Sequence, residues 1–393
     1  MSKHIFAAAT VAAAFALGAA WVGSAAAYDG PVEKKVFTLP AYTTVGGRTL
    51  KNVRVGYETY GALNAAGDNA IFVPHFFTAT SHAAGKYKPT DAASGYWDPI
   101  IGSGKPIDTD KYFVISADAL TNLNTKDPNV TTTGPASVDP DTGKPYGMAF
   151  PVVSYRDTVR VHKALVDSLG VKKLQAVAGA SGGSIQSMEW GALYPDFVER
   201  IVHVIGPGFD ITPYVLEMLD VWALPIRLDP KWNNGDYYGK DEPVAGVGQA
   251  LMIITITARA NGWAEKTFGY KWADAAKDPA AAMGNAFLIE DSIGKAGAAR
   301  GATTDGNSLI YTAKANQLYN LGDDVKKMKA KILFVPASSD LLFPPELSKR
   351  AAERYRAQGG VAEVAIIDGD GGHLDGVLNV AKQGEAIRAF LAK

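Results

Sequence analysis

Apolar positions change period several times along the chain, and each change marks an element. Over residues 36–60 apolar or β-branched side chains alternate with others (Val53, Val55, Tyr57, Thr59), the two-residue period of half-buried strands, ending in a turn at Gly61 and Asn64. Short apolar runs at 70–74, 112–116, 174–178 and 201–205 predict further strands, buried on both faces. Between them Val161, Leu165 and Leu169 recur at helical spacing over 158–169, where Gly170 would end the helix. A second helical stretch carries Ile185, Met188, Glu189, Trp190 and Leu193 and stops at Pro195. Strand, helix, strand, turn and helix in this order predict an α/β fold, a mostly parallel sheet with helices on both faces. From about 209 to 326 no strand alternation recurs. That stretch is helical and aromatic-rich, broken by Asn233-Asn234-Gly235 and by Gly301, and reads as an inserted helical lid. The alternation then resumes with a strand at 332–336, a helix at 345–358, a strand at 361–367 and a closing helix at 377–391. The core thus comprises 28–208 and 327–393, with the lid over 209–326. The polar loop at 120–146 is long enough that a functional or a disordered segment is expected.

Composition changes this picture mainly at the start. Lys3 and His4 precede an apolar run over 5–22, and Ala25-Ala26-Ala27 offers small residues for cleavage before Tyr28. A signal peptide over 1–27 is therefore expected, with an uncleaved anchor as the alternative, and the protein is expected to be periplasmic or secreted. No twin-arginine pair is present, which points to the general secretory route, and the absence of cysteine excludes disulfides and thiolate chemistry. The formal charge of −1 becomes −2 on losing Lys3. A near-neutral chain with no basic cluster gives no electrostatic case for nucleic acid or an anionic membrane. No stable membrane insertion is expected after cleavage.

The candidate chemistry centres on Gly179-Ala180-Ser181-Gly182-Gly183, set between an apolar strand and a helix. That context makes G-x-S-x-G a nucleophile elbow: the serine sits on a strained turn, and the next N–H, that of Gly182, can face a developing oxyanion. The loop after an early strand commonly donates the second N–H, and by position in 75–82 the donor is Phe77. In this fold the acid and then the base follow the serine. Of the two later histidines, His203 falls on a strand and is most simply packed, which leaves His373 in Gly371-Gly372-His373. Asp340 sits at the carboxyl end of the preceding core strand and is the candidate acid; Asp368 and Asp370, on the loop of His373, are rivals. His75 and His82 read as loop-packing residues, and their spacing and neighbours do not make a metal site. Gly104-Lys105 is followed by Pro106 in place of the Ser/Thr a phosphate loop needs. No metal and no cofactor are called for.

Several longer motifs carry a resemblance. Tyr57-Glu58-Thr59-Tyr60-Gly61, Gly104-Lys105-Pro106-Ile107-Asp108-Thr109, Gly143-Lys144-Pro145-Tyr146-Gly147, Asn233-Asn234-Gly235-Asp236-Tyr237-Tyr238 and Ser339-Asp340-Leu341-Leu342-Phe343-Pro344 resemble homoserine O-acetyltransferases of the α/β-hydrolase superfamily. The resemblance implies that fold, a lid that often carries a homodimer interface, and a ping-pong acyl-enzyme mechanism through Ser181, Asp340 and His373. It also implies that the family's substrate-anchoring arginine, tyrosine and aspartate fall at Leu251, Ala258 and Leu374, with Asp375 displaced by one. Gly182 stands where the family usually has methionine. Losing three charged or polar anchors removes most recognition of a zwitterion. The first expectation is therefore an exported serine carboxylesterase or deacetylase acting on a small neutral ester. The second is acyl-CoA-dependent O-acetylation of homoserine or another alcohol, and a catalytically silent binding protein is a third reading of a different class.

Overall fold

A computed structural model describes residues 31–393, so the leader expected over 1–27 lies outside the described residues. Strands β1 (Lys35–Thr43), β2 (Thr49–Tyr60), β3 (Ala70–Phe72), β6 (Phe113–Ala117), β7 (Leu174–Ala180), β8 (Arg200–Val204), β9 (Lys331–Val335) and β10 (Ala362–Val364) form one sheet. Its order is β1-β2-β6-β3-β7-β8-β9-β10, and only the pairings of β2 with β1 and β6 are antiparallel. A separate two-stranded ribbon joins β4 (Ile101–Gly102) and β5 (Ile107–Asp108). Register follows burial: along β9, Ile332 and Phe334 enter one apolar core while Leu333 and Val335 enter the other. The first core is covered by α1 (Tyr155–Ser168), α2 (Gly182–Leu193) and α8 (Pro345–Ala357), the second by α10 (Gly384–Leu391). The parallel sheet with helices on both faces is present as expected.

Local sequence accounts for much of this. Ser154 opens α1 through a capping box with Asp157, whose carboxylate accepts from the Ser154 N–H at 2.8 Å. Between β8 and β9 the chain is helical, with α3 (Pro213–Leu228), α4 (Val244–Thr257), α5 (Asn261–Thr267), α6 (Leu288–Gly301) and α7 (Gly306–Gln317). Among the described residues, no helix is long and apolar enough to cross a membrane.

One expectation needs correction and another is narrowed. The closing helix is not continuous: α9 (Asp375–Leu378) stops at Asn379, and a 3-10 turn separates it from α10. The Asn379 side chain donates back to Asp375 at 2.6 Å while its backbone leaves helical geometry (φ −120°), which interrupts the helix. The loop at 120–146 is tied into the core, with Asn122, Leu123 and Thr133 buried and the Thr133 hydroxyl bonded to the Arg54 backbone.

Candidate active site

Ser181 lies where β7 passes into α2, in a conformation (φ 53°, ψ −118°) that non-glycine residues rarely adopt. The glycines beside it allow the crossing. A Cβ on Gly179 would strike the Gly183 backbone, and one on Gly183 would strike the Pro74 carbonyl oxygen at the end of β3. Because β3 and α2 approach this closely, the start of loop 75–82 is pressed against the head of α2. A Cβ on Gly182 would come 3.4 Å from the Phe77 nitrogen, so the two N–H groups named from the sequence border one small volume. Gly182 is the first residue of α2, a position whose N–H has no acceptor within the helix.

The loop after α8 and β10 brings His373 over this turn. His373 Nε2 lies 2.8 Å from Ser181 Oγ, and its Nδ1 lies 2.7 Å from Asp340 Oδ2. The other oxygen of Asp340 accepts from the Leu342 and Phe343 N–H groups, both at 2.9 Å, so the carboxylate is held by its own turn while it meets the imidazole. A carboxylate can only accept, which assigns the Nδ1 proton to His373 and leaves Nε2 free to receive one from Ser181. The ring is further fixed edge-on against Phe343, with centroids 5.4 Å apart. The two rival aspartates point elsewhere: Asp368 accepts from Ser338 at 3.0 Å, and Asp370 pairs with Lys266 at 3.4 Å.

The loop that carries Phe77 is pinned at both ends by groups the sequence reading left as packing or did not name. At its start His75 donates from Nδ1 to the Phe76 carbonyl (2.8 Å) and accepts at Nε2 from the Ala119 N–H (2.9 Å). Burial pushes the His75 pKa down, which keeps this neutral tautomer. Asn122 donates to the Ala79 carbonyl at 3.0 Å and Asn124 to that of Thr78 at 3.2 Å. At the far end the Ser81 N–H donates to Asp118 (2.8 Å) and His82 Nδ1 to Glu58 (3.1 Å), with Lys34 between the two carboxylates. Tyr60 and Tyr87 each donate to Glu58 at 2.6 Å. Glu58 and Tyr60 fall in a motif the sequence offered, but it did not point to loop 75–82, whose other partners lie tens of residues away. His203 is a packed strand residue: fully buried on β8, it lies edge-on to Phe334 and accepts from the Gly208 N–H at 3.2 Å.

A cavity of about 60 Å³ opens on Ser181 and His373. Phe76, Phe77, Leu219, Trp222, Ala258 and Leu374 line much of its wall; Thr78 and Asn316 add polar atoms, and among the described residues no Lys, Arg, Asp or Glu lines it. Ala258 and Leu374 stand on the wall. Leu251 does not; it is buried one turn back along α4, and Ile254 lines the cavity instead. Arg259, next to Ala258, is buried away from the wall with its guanidinium 4.6 Å over the Trp263 ring. Burial pulls its pKa down to about 10, against the pull of Asp375. A larger groove of about 640 Å³, lined by residues of α4 and α6 with Asp229, Lys231 and Glu242, includes none of Ser181, Asp340 and His373, so size does not locate the triad. Among the described residues, no group of three His, Cys, Asp or Glu is placed to hold a metal ion.

No family model matches the chain. Homoserine O-acetyltransferase of Symbiobacterium thermophilum is 38% identical over 352 residues, 88% of this chain and 90% of that protein. Among solved structures, esterase E22 is 45% identical over 92% of this chain and 100% of its own, with a TM-score of 0.87. Homoserine O-acetyltransferase from Bacillus anthracis is 35% identical over 93% of this chain and 98% of its own, with a TM-score of 0.88.

Proposed function

The chain belongs to the homoserine O-acetyltransferase family of α/β-hydrolases, enzymes that include esterases among their structural neighbours, and we propose that it is an exported serine esterase for small neutral esters. One observation carries the choice of hydrolysis: among the described residues, the wall around Ser181 holds no Lys, Arg, Asp or Glu to anchor a zwitterion. Homoserine would leave an ammonium and a carboxylate desolvated and unpaired there, at a cost of several kcal/mol. The acetyltransferases among the relatives support acetyl as the acyl group carried.

The reaction proceeds through Ser181. His373 Nε2 takes the proton of Oγ as Oγ attacks the ester carbonyl, and Asp340 steadies the imidazolium through Nδ1. The Gly182 and Phe77 N–H groups receive the oxyanion. The alkoxide leaves with the proton from His373, giving acetyl-Ser181 and a free alcohol. Water then enters, loses a proton to His373 and attacks the acyl carbonyl; acetate departs and Ser181 recovers its proton.

Acetyl transfer from acetyl-CoA to homoserine or another alcohol is the second reading, and the names of the curated relatives support it better than they support hydrolysis. The 45%-identical esterase supports the first. Both share acylation and differ in what deacylates the serine. Purified protein should cleave an activated acetyl ester far faster than it acetylates homoserine, and Ser181→Ala should abolish both. Homoserine acetylation from acetyl-CoA well above ester cleavage would reverse the order of the two readings. Export rests on the leader at 1–27: N-terminal sequencing of protein recovered outside the cytoplasm should begin at Tyr28, and a full-length cytoplasmic product would remove this part.

A further inference from the structure

Beside the Gly182 and Phe77 N–H groups stands a third polar group that the reading so far does not use. A Cβ on Gly182 would lie 2.7 Å from the Tyr155 hydroxyl oxygen, too close for both to remain in place. The absence of a side chain at 182 thus makes room for this phenol, which is 4% exposed. Its hydrogen bonding is one-sided. Asn316 Nδ2 donates to the Thr312 carbonyl at 2.8 Å and to the Tyr155 oxygen at 2.9 Å. A carbonyl can only accept, so the nitrogen of Asn316 is fixed and Tyr155 must act as acceptor in that bond. Among the described residues, no hydrogen bond of Tyr155 uses its own proton. Burial pushes its pKa well up, which keeps the proton on the oxygen. A buried hydroxyl whose proton lacks an acceptor is unfavourable unless something arrives to accept it.

We propose that Tyr155 is a third hydrogen-bond donor to the oxyanion at Ser181, oriented by Asn316 and admitted by Gly182. The inference rests on the serine acyl-enzyme reading and extends its oxyanion site. As the carbonyl carbon becomes tetrahedral, its oxygen gains charge beside Gly182 and accepts a hydrogen bond from the Tyr155 O–H, which keeps its proton. Asn316 lies on α7 and lines the cavity, so the donor is set by the helical insertion as well as by the core.

The test pairs a rate with a transition-state mimic. A trifluoromethyl ketone adds to Ser181 as a hemiketal and places a charged oxygen in the same site. Tyr155→Phe is expected to lower kcat for an activated acetyl ester by about 10- to 100-fold with KM within about two-fold, since loss of an oxyanion donor typically costs about 10²–10³ and two donors remain. The Ki of the ketone should rise by the same factor, a response that loosened packing alone would not give. Rate and Ki both within about two-fold of the parent, or a slower rate with unchanged Ki, would overturn the proposal. Should Tyr155→Phe fail to fold, Gly182→Ala, which displaces the hydroxyl, must show the same paired loss, and an unchanged Ki there overturns it equally. Ser181→Ala separates the two levels: an inactive Ser181→Ala beside an unaffected Tyr155→Phe removes only the third donor, whereas an active Ser181→Ala removes the serine reading itself.

Discussion

At the scale of single residues, Asp340 shows how one side chain serves a turn and a site together. Its Oδ1 caps the Leu342 and Phe343 N–H groups while Oδ2 meets His373. Asp340→Asn can keep the capping oxygen, so the fold should survive with a melting temperature within a few degrees of the parent. An amide nitrogen facing Nδ1 forces the wrong imidazole tautomer, and kcat should fall by about 10³–10⁴. Retention of more than a tenth of the rate would show that His373 does not depend on this carboxylate. Ser181, Asp340 and His373 could be named from chain order alone, because the elbow limits which later residues can reach it. Asn316 and Tyr155 could not: nothing in their local sequence marks them, and they meet only where the start of α1 comes within a hydrogen bond of α7.

At the scale of elements, the approach of β3 to α2 is the feature on which the site's geometry turns. Gly183 faces the Pro74 carbonyl with no room for a methyl group. Gly183→Ala should therefore destabilise the protein by about 1–3 kcal/mol, the usual cost of overpacking, measurable as a lower urea midpoint. It should also separate the Phe77 and Gly182 N–H groups, lowering kcat more than KM. A variant that lost stability but kept its rate would show that the loop adjusts freely. Loop 75–82 does not look free, since His75, Asn122, Asp118 and Glu58 hold it from both sides. Periodicity located β3 and α2 but said nothing of their separation, because the close approach is made by backbone and glycine, which carry no hydrophobic pattern. The closing helix failed for a related reason. An apolar face continues from Val377 to Leu391, and a side-chain bond from Asn379 to Asp375 breaks the backbone beneath it.

At the scale of the whole molecule, burying neutral histidines makes stability depend on pH. His162 and His203 are fully buried, and burial lowers both to about 4. In the unfolded chain they take up protons below about 6.5, while the folded chain takes them up only near 4. Over that window the unfolded state binds more protons, so stability is complete above about 6.5 and falls as pH drops toward 4. Each histidine contributes a slope of up to about 1.4 kcal/mol per pH unit. The urea midpoint should drop clearly between pH 7 and pH 5, and less steeply in His162→Gln, whose amide can still donate to the Asp118 carbonyl. Equal slopes in the two proteins would contradict burial as the cause.

The amino-acid sequence by itself determined the order of strands and helices, the turn that carries Ser181, and Asp340 and His373 as the candidate acid and base that follow it. These are local or order-dependent properties: side-chain period sets the element, glycine permits the turn, and chain order restricts what can return to it. Only the tertiary structure decided which side chains face Ser181. It placed Ala258 and Leu374 on the cavity wall, kept Leu251 and Arg259 off it, and set Tyr155 beside Gly182. Those outcomes depend on helix rotation and on distances across the fold, and a hydrophobic residue satisfies its pattern equally well on a cavity wall or one turn behind it.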